Sequence, residues 1–416
     1  MKQENKDGEG EVELVNTGIR EVLPNVDTGS ALPQKKTPSG RVKVLHLNYT
    51  RSQKGELVET EIEHLRFFAK TVKELGLRLE ILTNSKSRED VVQELNQDEY
   101  QELEYNITIS QKPVSKWAED SVEYLENGKV AVLKQFNDEL LQKAMTKGRR
   151  HRWQGKLTQE NLEEALEEDH LWIPLGIRVN ASETVAERER AAQNQGQEVA
   201  HIRAYIEGGN MITGEDATGE PVIMIGQDAI ATTAYIYQLD DNDVRRIICE
   251  DFGLATIEQV ICVEQPGQFH LDMGMLCIGN GIVIVNDSSE ELKDAIEMVE
   301  MVPCLTTEKM AAKLHLQFEL EEEAAKDLEE AGIKVIRRKL EKYMMYNFFN
   351  GEFVQGKDGE NYYITNGGTE EKEEEFEALM VQEWKVVKKV IFSPIVAAQQ
   401  SFKDRGGVGC RIKGGY

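Results

Sequence analysis

A chain of 416 residues is long enough to bury one large core or two ordinary ones, and its 40% content of hydrophobic residues is typical of a globular protein. Its 49 Lys and Arg residues against 75 Asp and Glu residues give a formal net charge of −26, which argues against nucleic acid or an anionic membrane as a partner. No apolar run reaches about 18 residues, and no hydrophobic signal segment stands at the start, so we expect a cytoplasmic protein without a membrane span.

Residues 1–40 are polar, contain scattered Gly and Pro and lack an apolar period, which predicts a flexible N-terminal arm. The folded domain is expected over residues 41–416. It begins with a strand from Val42 to Tyr49, followed by a helix whose apolar residues recur at helical spacing until Gly76. The alternation of apolar and charged residues from Leu77 to Ile81 then predicts a half-buried strand.

The same alternation of strand and helix returns in the second half of the chain. Gly and Asp between β-rich flanks predict hairpin turns near 216–219 and 357–359. Hairpins mixed with strand-helix-strand units are typical of an α/β protein with mixed sheets. The other predicted elements are strands from Tyr105 to Ser110, Ile282 to Val285, Ile333 to Ile336 and Val386 to Phe392, and helices from Ser289 to Met301, through Ala331 and from Thr369 to about Lys385.

Residues 137–200 interrupt this pattern. They are rich in Glu, Gln, Lys and Ala, with one strand-like stretch from Leu171 to Val179, which predicts a helical insertion or lid on the main domain. Residues 147–152 form a basic cluster that could bind an anion, although a solvated turn between helices is the favoured interpretation.

Three short motifs carry side chains that are suited to catalysis. Trp117-Ala-Glu-Asp120 follows a predicted strand, and Glu207 stands at the end of another strand with two glycines after it. In the third motif, strand alternation would place His270 and Asp272 on one face, roughly 7 Å apart. Each motif alone also fits an ordinary turn or β-bulge.

Cys410 has surroundings unlike those of the other cysteines. Gly406, Gly407 and Gly409 precede it, which predicts a tight loop that presents the thiol close to backbone amides. An odd number of cysteines without paired CxxC spacing argues against a disulfide scaffold or a zinc ribbon. The remaining four stand among apolar neighbours, as small core residues do: Cys249, Cys262, Cys277 and Cys304.

In their order and separation, these motifs resemble the catalytic set of the guanidino-group-modifying enzymes of the pentein fold. The similarity is closest to arginine deiminase motifs, in Ile206-Glu-Gly-Gly209, Phe269-His-Leu-Asp272 and Arg405-Gly-Gly-Val-Gly-Cys410. It covers roughly residues 41–416, although only these segments are specific. The resemblance implies an α/β propeller, a pseudo-fivefold arrangement of ββαβ units, here with a helical insertion.

Carried over by position, the resemblance makes Cys410 the nucleophile, His270 the acid and base, and Glu207 the partner that orients His270. Asp120 and Asp272 become the clamp for the guanidinium, with Trp117 beside the substrate. The family usually has Arg before the first clamp Asp, whereas this chain has Glu119. Arg411, directly after the nucleophile, is our candidate for holding a substrate carboxylate, ahead of Arg203.

Chemistry supports these roles independently of the family. A guanidinium is planar and charged at any ordinary pH, so carboxylates such as Asp120 and Asp272 are suited to hold it through paired hydrogen bonds. Its central carbon is a poor electrophile, which requires a strong nucleophile such as the Cys410 thiolate. The sequence thus predicts a deiminase that needs no metal or organic cofactor and forms a thiouronium intermediate.

Other activities remain open at this stage. An amidinotransferase would share the covalent intermediate, and a non-catalytic pentein that binds an arginine-bearing partner would need the carboxylates alone. A third alternative uses His270, Asp272 and His315 as the two-histidine, one-carboxylate ligand set of an iron oxygenase.

The substrate is less well determined than the chemistry. Free arginine, agmatine, methylated arginine and an arginine-containing peptide all fit, and the departures from the free-arginine pattern favour a modified or peptide-linked arginine. The oligomeric state is left open, and a homo-oligomer is compatible with the sequence.

Overall fold

The computed structural model of this chain describes residues 31–51, 58–111, 114–134, 189, 192–193, 196–237, 239–266, 270–342, 345–404 and 406–416. Most of the predicted insertion, including the basic cluster and the strand over 171–179, lies outside the described residues, as do residues 1–30 of the predicted arm. None of the helices that the structure describes has the length and apolar character needed to cross a bilayer.

The first sheet is built from the predicted strand, helix and strand at the start of the domain. The helix has an apolar stripe that buries Leu65, Phe68 and Val72 completely against the sheet. Each such side chain contributes about 1.5–3 kcal/mol to folding. The elements are β1 (Val44–Tyr49), α1 (Glu59–Leu75), β2 (Arg78–Asn84), α2 (Arg88–Leu95) and β3 (Glu104–Ser110).

The middle of the chain forms two further three-stranded sheets, β4–β5–β6 and β7–β8–β9. The connection between β5 and β6 contains the predicted insertion. The elements are β4 (Val122–Tyr124), β5 (Val130–Lys134), β6 (Val199–Tyr205), β7 (Met211–Glu215), β8 (Pro221–Gly226), α3 (Gln227–Tyr237), α4 (Asp241–Phe252) and β9 (Val260–Val263).

The last third contributes two more three-stranded sheets and a short ribbon, and its final strand joins the first sheet. The elements are β10 (Met275–Gly279), β11 (Ile282–Val285), α5 (Ser289–Met301), α6 (Leu305–Glu330), β12 (Lys334–Arg337), β13 (Glu341–Lys342), β14 (Tyr346–Asn347), β15 (Gly351–Gln355), β16 (Asn361–Thr365), α7 (Glu370–Ala378), β17 (Lys389–Phe392), α8 (Ile395–Lys403), α9 (Val408–Arg411) and β18 (Ile412–Gly415).

Five sheets of the described part repeat one arrangement, an antiparallel pair followed by a parallel pair. The units are β4–β5–β6, β7–β8–β9, β10–β11–β12, β15–β16–β17 and β18–β1–β2, with β3 added to the last. In β18–β1–β2, Leu45 pairs with Gly414 on one side and with Leu79 on the other. The predicted α/β class with mixed sheets is confirmed. No closed sheet joins the units among the strands described here.

The predicted flexible arm is too long, because its residues 31–40 are attached to the folded domain. They lie between two units, because the amide of Gln34 donates to the carbonyl of Tyr124 at 2.8 Å and that of Lys36 to the carbonyl of Thr213 at 2.9 Å. Thr37 is fully buried. The segment needs no apolar period because backbone hydrogen bonds attach it to the domain, together with the packing of Ala31 and Leu32 against a hydrophobic cluster.

Three predicted elements differ in detail. The acidic helix becomes irregular after α7, in a π-helical turn over Leu379–Glu383, and ends before Lys385, whose positive φ of 56° is incompatible with a right-handed helix. The predicted strand at 386–392 therefore begins later, at Lys389. The glycine-rich segment before Cys410 leads into the helical turn α9 rather than a loop, and β18 follows it.

Candidate active site

The five repeated units each place a short segment immediately before their first strand, and these segments meet. The 3-10 turn Glu119–Ser121 precedes β4, Gly208–Asn210 precedes β7 and Leu271–Met273 precedes β10. Asn350 directly precedes β15, and α9 directly precedes β18. The first turn contacts the second, the second contacts the third, and α9 contacts both β15 and the first turn. A hydrogen bond of 2.7 Å from Asn347 to the carbonyl of Met273 connects the third turn with the segment before β15.

Cys410 lies in the centre of the turn α9 and is only 2% exposed. Asparagine side chains position this turn: Asn366 accepts from the amide of Val408 at 2.9 Å, and Asn350 accepts from the amide of Cys410 at 3.2 Å. Those bonds satisfy amides at the start of a helix, which otherwise lack partners. The short helical turn is stable for this reason, in spite of its glycines.

Asn350 also connects the thiol with a carboxylate. Its Nδ2 donates to Oδ2 of Asp272 at 2.8 Å and lies 3.3 Å from Sγ of Cys410. One imidazole nitrogen of His270, one carboxylate oxygen of Asp272 and Sγ of Cys410 all lie within 4.8 Å of one another. The predicted meeting of thiol, imidazole and carboxylate is therefore present in the structure.

His270 and Asp272 reach the site differently from the prediction. His270 has extended backbone angles, but the chain then enters the 3-10 turn Leu271–Met273, so the two residues are not alternating positions of a strand. The turn brings their side chains closer than a strand would. Both residues are buried, with 4% and 5% of their surface exposed.

Glu207 follows β6, as predicted, and its Oε2 lies 2.9 Å from Nε2 of His270. The two residues after Glu207 must be glycines because neighbouring turns of the site approach their backbone closely. A Cβ on Gly208 would lie 2.0 Å from the carbonyl oxygen of Glu119, and one on Gly209 would lie 2.3 Å from Nδ1 of His270. The Glu-Gly-Gly motif thus allows contact between neighbouring turns of the site.

Burial alone would lower the pKa of His270, but the hydrogen bond and charge of Glu207, together with the charges of Asp120 and Asp272, raise it to about 9. The imidazole is therefore protonated at neutral pH and can act as a general acid. Burial and the charges of Asp272, Glu119 and Asp120 raise the pKa of the Cys410 thiol well above its ordinary value. The Cys410 side chain is therefore a neutral thiol at neutral pH.

The Trp117–Asp120 motif forms another wall of the site. Asp120 is close enough for its charge to act on both His270 and Cys410. Trp117 is buried, and its ring packs against Gly406, where a Cβ would lie 2.4 Å from a ring carbon. Asp120 and Trp117 are thus placed next to the segment that carries the thiol.

Arg411 does not have the predicted orientation toward a substrate carboxylate. It is 1% exposed, and its guanidinium forms bonds of 2.6 and 3.1 Å with the two carboxylate oxygens of Glu61 and one of 2.6 Å with the hydroxyl of Ser401. Arg203 is held in the same way by Asp251 and Glu250. Both guanidinium groups have structural partners, because a buried arginine requires carboxylates to replace water.

Two residues of the site had no signal in the sequence. Asn350 lies in an aromatic segment that reads as core, and Lys36 lies in the supposed arm. The Lys36 ammonium contacts the Glu119 carboxylate and donates to the carbonyl of Gly208 at 3.1 Å. Neither residue belongs to one of the short motifs that marked the other site residues in the sequence.

The iron-site alternative is not supported by the geometry. His315 lies on α6, where its exposed imidazole pairs with Glu319 at 3.4 Å. Among the described residues, the cluster with metal-ligand spacing consists of His270, Asp272 and Cys410 and does not include His315. A two-histidine, one-carboxylate set is therefore absent from the described part of the chain.

Three solved structures share the fold of this chain. The C. jejuni agmatine deiminase is 14% identical over 93% of this chain and 95% of its own, with a TM-score of 0.53. The agmatine deiminase of Enterococcus faecalis is 10% identical over 95% and 99%, with a TM-score of 0.53. A structural genomics target solved by X-ray diffraction is 12% identical over 95% and 98%, with a TM-score of 0.60. This chain has the pentein fold.

No protein-family model matches this chain, and no curated protein is similar to it at a significant level. Sequence identity of 10 to 14% establishes a shared fold only.

Proposed function

We propose that this chain is a deiminase, a hydrolase that converts the guanidino group of a small substrate into a ureido group and releases ammonia. The observation that supports this most strongly is the cluster of Cys410, His270 and Asp272, with reactive atoms within 4.8 Å, and Glu207 at 2.9 Å from His270. A thiol beside a protonated imidazole and several carboxylates is suited to a cationic, weakly electrophilic carbon.

In the first half of the reaction, the Cys410 thiolate attacks the central guanidinium carbon and forms a carbon–sulfur bond. The resulting tetrahedral adduct is neutral. His270 donates its proton to the departing nitrogen, the carbon–nitrogen bond breaks, and ammonia leaves a thiouronium cation on Cys410. The carboxylate of Glu207 keeps the imidazole oriented for this transfer, as a carboxylate does in a catalytic triad.

In the second half, the now neutral His270 takes a proton from water as the oxygen attacks the same carbon. The carbon–sulfur bond breaks, and the sulfur leaves with the bonding electrons and takes the remaining hydroxyl proton, so that the ureido product and the resting thiol form. An amidinotransferase would use an amine in place of this water, so the released products distinguish the two reactions.

Substrate binding also explains how a thiol with a raised pKa becomes reactive. Asp120 and Asp272 would hold the guanidinium through paired hydrogen bonds, with Trp117 beside it. A cation about 4 Å from an anion, at an effective dielectric constant of about 20, stabilises it by about 4 kcal/mol, equivalent to about 3 pKa units. Bound substrate therefore lowers the pKa of the Cys410 thiol and favours the attacking thiolate, and the thiol proton passes to solvent.

We favour a guanidino substrate of the agmatine type, without an α-carboxylate. Arg411 and Arg203, the two predicted partners for a carboxylate, are both occupied by ion pairs within the protein. The structural neighbours named above are agmatine deiminases, which supports the same substrate class. Peptide-linked and methylated arginine are the competing substrates.

We further propose that the five ββαβ units surround one axis as a propeller, with the site where their leading segments meet. The contacts from each of these segments to the next support this arrangement. All five cysteines are free, which supports a reducing compartment such as the cytoplasm.

The test is to incubate the protein with agmatine, arginine, methylarginine and an arginine peptide, and to measure ammonia and ureido product. We expect release of both from agmatine and complete loss of this activity in Cys410→Ala. The matched control is Cys304→Ala, which removes an exposed thiol and should leave the rate unchanged. Absence of ammonia with all four compounds would exclude hydrolysis of this substrate class.

A further inference from the structure

The acidic side of the site contains two buried carboxyl groups. Glu119 and Asp272 are 2% and 5% exposed and lie close enough for each to act on the pKa of the other. Two buried carboxylates that close repel each other unless a proton or a cation compensates the charge. Burial and the charge of Glu119 accordingly raise the pKa of Asp272 well above its ordinary value.

Lys36 supplies a cation at this point. Its side chain is 13% exposed, and its ammonium contacts the carboxylate of Glu119 as well as the carbonyl of Gly208. One ammonium therefore joins the turn that carries Asp120 to the turn that carries Glu207. Burial alone would raise the pKa of Glu119, but the charges of Lys36 and Lys413 lower it, so this carboxylate stays ionised.

Lys413 is a poorer candidate for the same role, because its own ammonium is paired with the buried carboxylate of Glu123. Lys36 has no second carboxylate among its described ion pairs. The charged groups that act on Glu119, Lys36 or Cys410 are Lys36, Lys413, Glu119, Asp120, Glu123, Asp272 and Glu352, with His270 adjacent to Cys410.

We propose that Lys36 is a positioning residue of the reaction, which pairs with Glu119 beside Asp272 and joins the turns that carry Asp120 and Glu207. This inference rests on the proposed deiminase function. It also accounts for the departure noted in the sequence: Glu119 stands where the resembled enzymes usually have arginine, and Lys36 returns a positive charge to that position from a different part of the chain.

Loss of the ammonium leaves Glu119 without its direct ion-pair partner, while the charge of Lys413 still favours the ionised carboxylate. Because the charge of Glu119 already raises the pKa of the Cys410 thiol, removal of Lys36 should raise that pKa further. The rate at which a neutral alkylating reagent modifies Cys410 depends on its thiolate fraction, so the effect can be measured without any substrate.

The experiment compares full-length Lys36→Met, Lys36→Arg and Lys36→Met/Glu119→Gln with the parent. Alkylation of the Cys410 peptide by iodoacetamide is followed by mass spectrometry as a function of pH, together with kcat and KM for agmatine. The matched control is Lys35→Met, because Lys35 is the preceding residue but pairs with Glu215 at 2.6 Å instead of Glu119.

We expect Lys36→Met to raise the alkylation midpoint, the pH at which the alkylation rate of Cys410 is half-maximal, by about one pH unit, which is a roughly tenfold loss of reactivity at fixed pH. The same variant should lower kcat more than it raises KM. Lys36→Arg should keep most of the parent reactivity, and the double variant should return the midpoint toward the parent value because it removes the uncompensated charge. Lys35→Met should match the parent.

An alkylation midpoint for Lys36→Met equal to that for Lys35→Met would overturn the proposal. If Lys36→Met does not fold, as judged by circular dichroism, the proposal is tested with the double variant. An alkylation midpoint of the double variant well above the parent value would contradict the proposal. Alkylation needs no substrate, so the two proposals can fail separately. If the protein releases ammonia from none of the four compounds but Lys36→Met still shifts the alkylation midpoint, the proposed function is excluded and the role of Lys36 at the thiol is retained.

Discussion

The two sides of this site handle buried charge in different ways. On one side, His270 and Glu207 form a pair of opposite charges, and the partners lie in two motifs that are visible in the sequence. On the other side, Glu119 and Asp272 are two buried carboxyl groups close together, and the compensating ammonium comes from Lys36, more than eighty positions away from Glu119.

The comparison indicates which effects a substitution should have. In the pair of His270 and Glu207, the carboxylate keeps the imidazole protonated, so loss of Glu207 should lower the pH at which His270 releases its proton. Two neighbouring carboxyl groups favour a nearby cation, so the reactivity of the groups around them should depend on whether substrate or Lys36 is present. The predictions below test this distinction, starting with the largest effect.

His270→Gln should reduce kcat by about 10²–10⁴, the usual range for removal of a general acid and base, because the departing nitrogen loses its proton donor. Steady-state ammonia release measures the effect. His315→Gln is the control, since this imidazole is exposed on α6 and should tolerate replacement. Equal activity in the two variants would remove His270 from the mechanism.

Glu207→Gln should lower the pKa of His270 from about 9 toward its ordinary value, because the neutral amide no longer stabilises the imidazolium. Activity that needs the protonated form is present below that pKa and lost as the pH rises through it. The alkaline limb of kcat should therefore move to lower pH in the variant. If the alkaline limb of kcat stayed at the same pH as in the parent, a group other than His270 would be responsible for it.

Chelation should have the smallest effect. We expect dialysis against EDTA to leave the rate of ammonia release unchanged, because the proposed chemistry uses the thiol and imidazole directly. A loss of activity that is restored by added zinc or iron would instead make His270, Asp272 and Cys410 metal ligands, which their 4.8 Å spacing also permits.

Sequence reasoning predicted the parts of the site that depend on local signals. Glu207 and its glycines follow a strand, and Asp120 also lies between strands, so turn chemistry indicated where these side chains would be. The strand predicted for His270 and Asp272 was wrong, because three residues are too few for a hydrophobic period to separate a turn from a strand. Arg411 was misassigned because its partner, Glu61, lies 350 positions away.

The amino-acid sequence by itself determined the α/β class, most strands and helices, and the residue types available for chemistry, because apolar period and turn residues act over a few positions. Only the tertiary structure decided that Lys36 compensates Glu119, that Asn350 connects Asp272 with Cys410, and that Arg411 is part of a buried ion pair. Those contacts depend on how separate units meet, and a buried charge is stabilised by whichever partner the fold brings within a few ångströms, regardless of its distance along the chain.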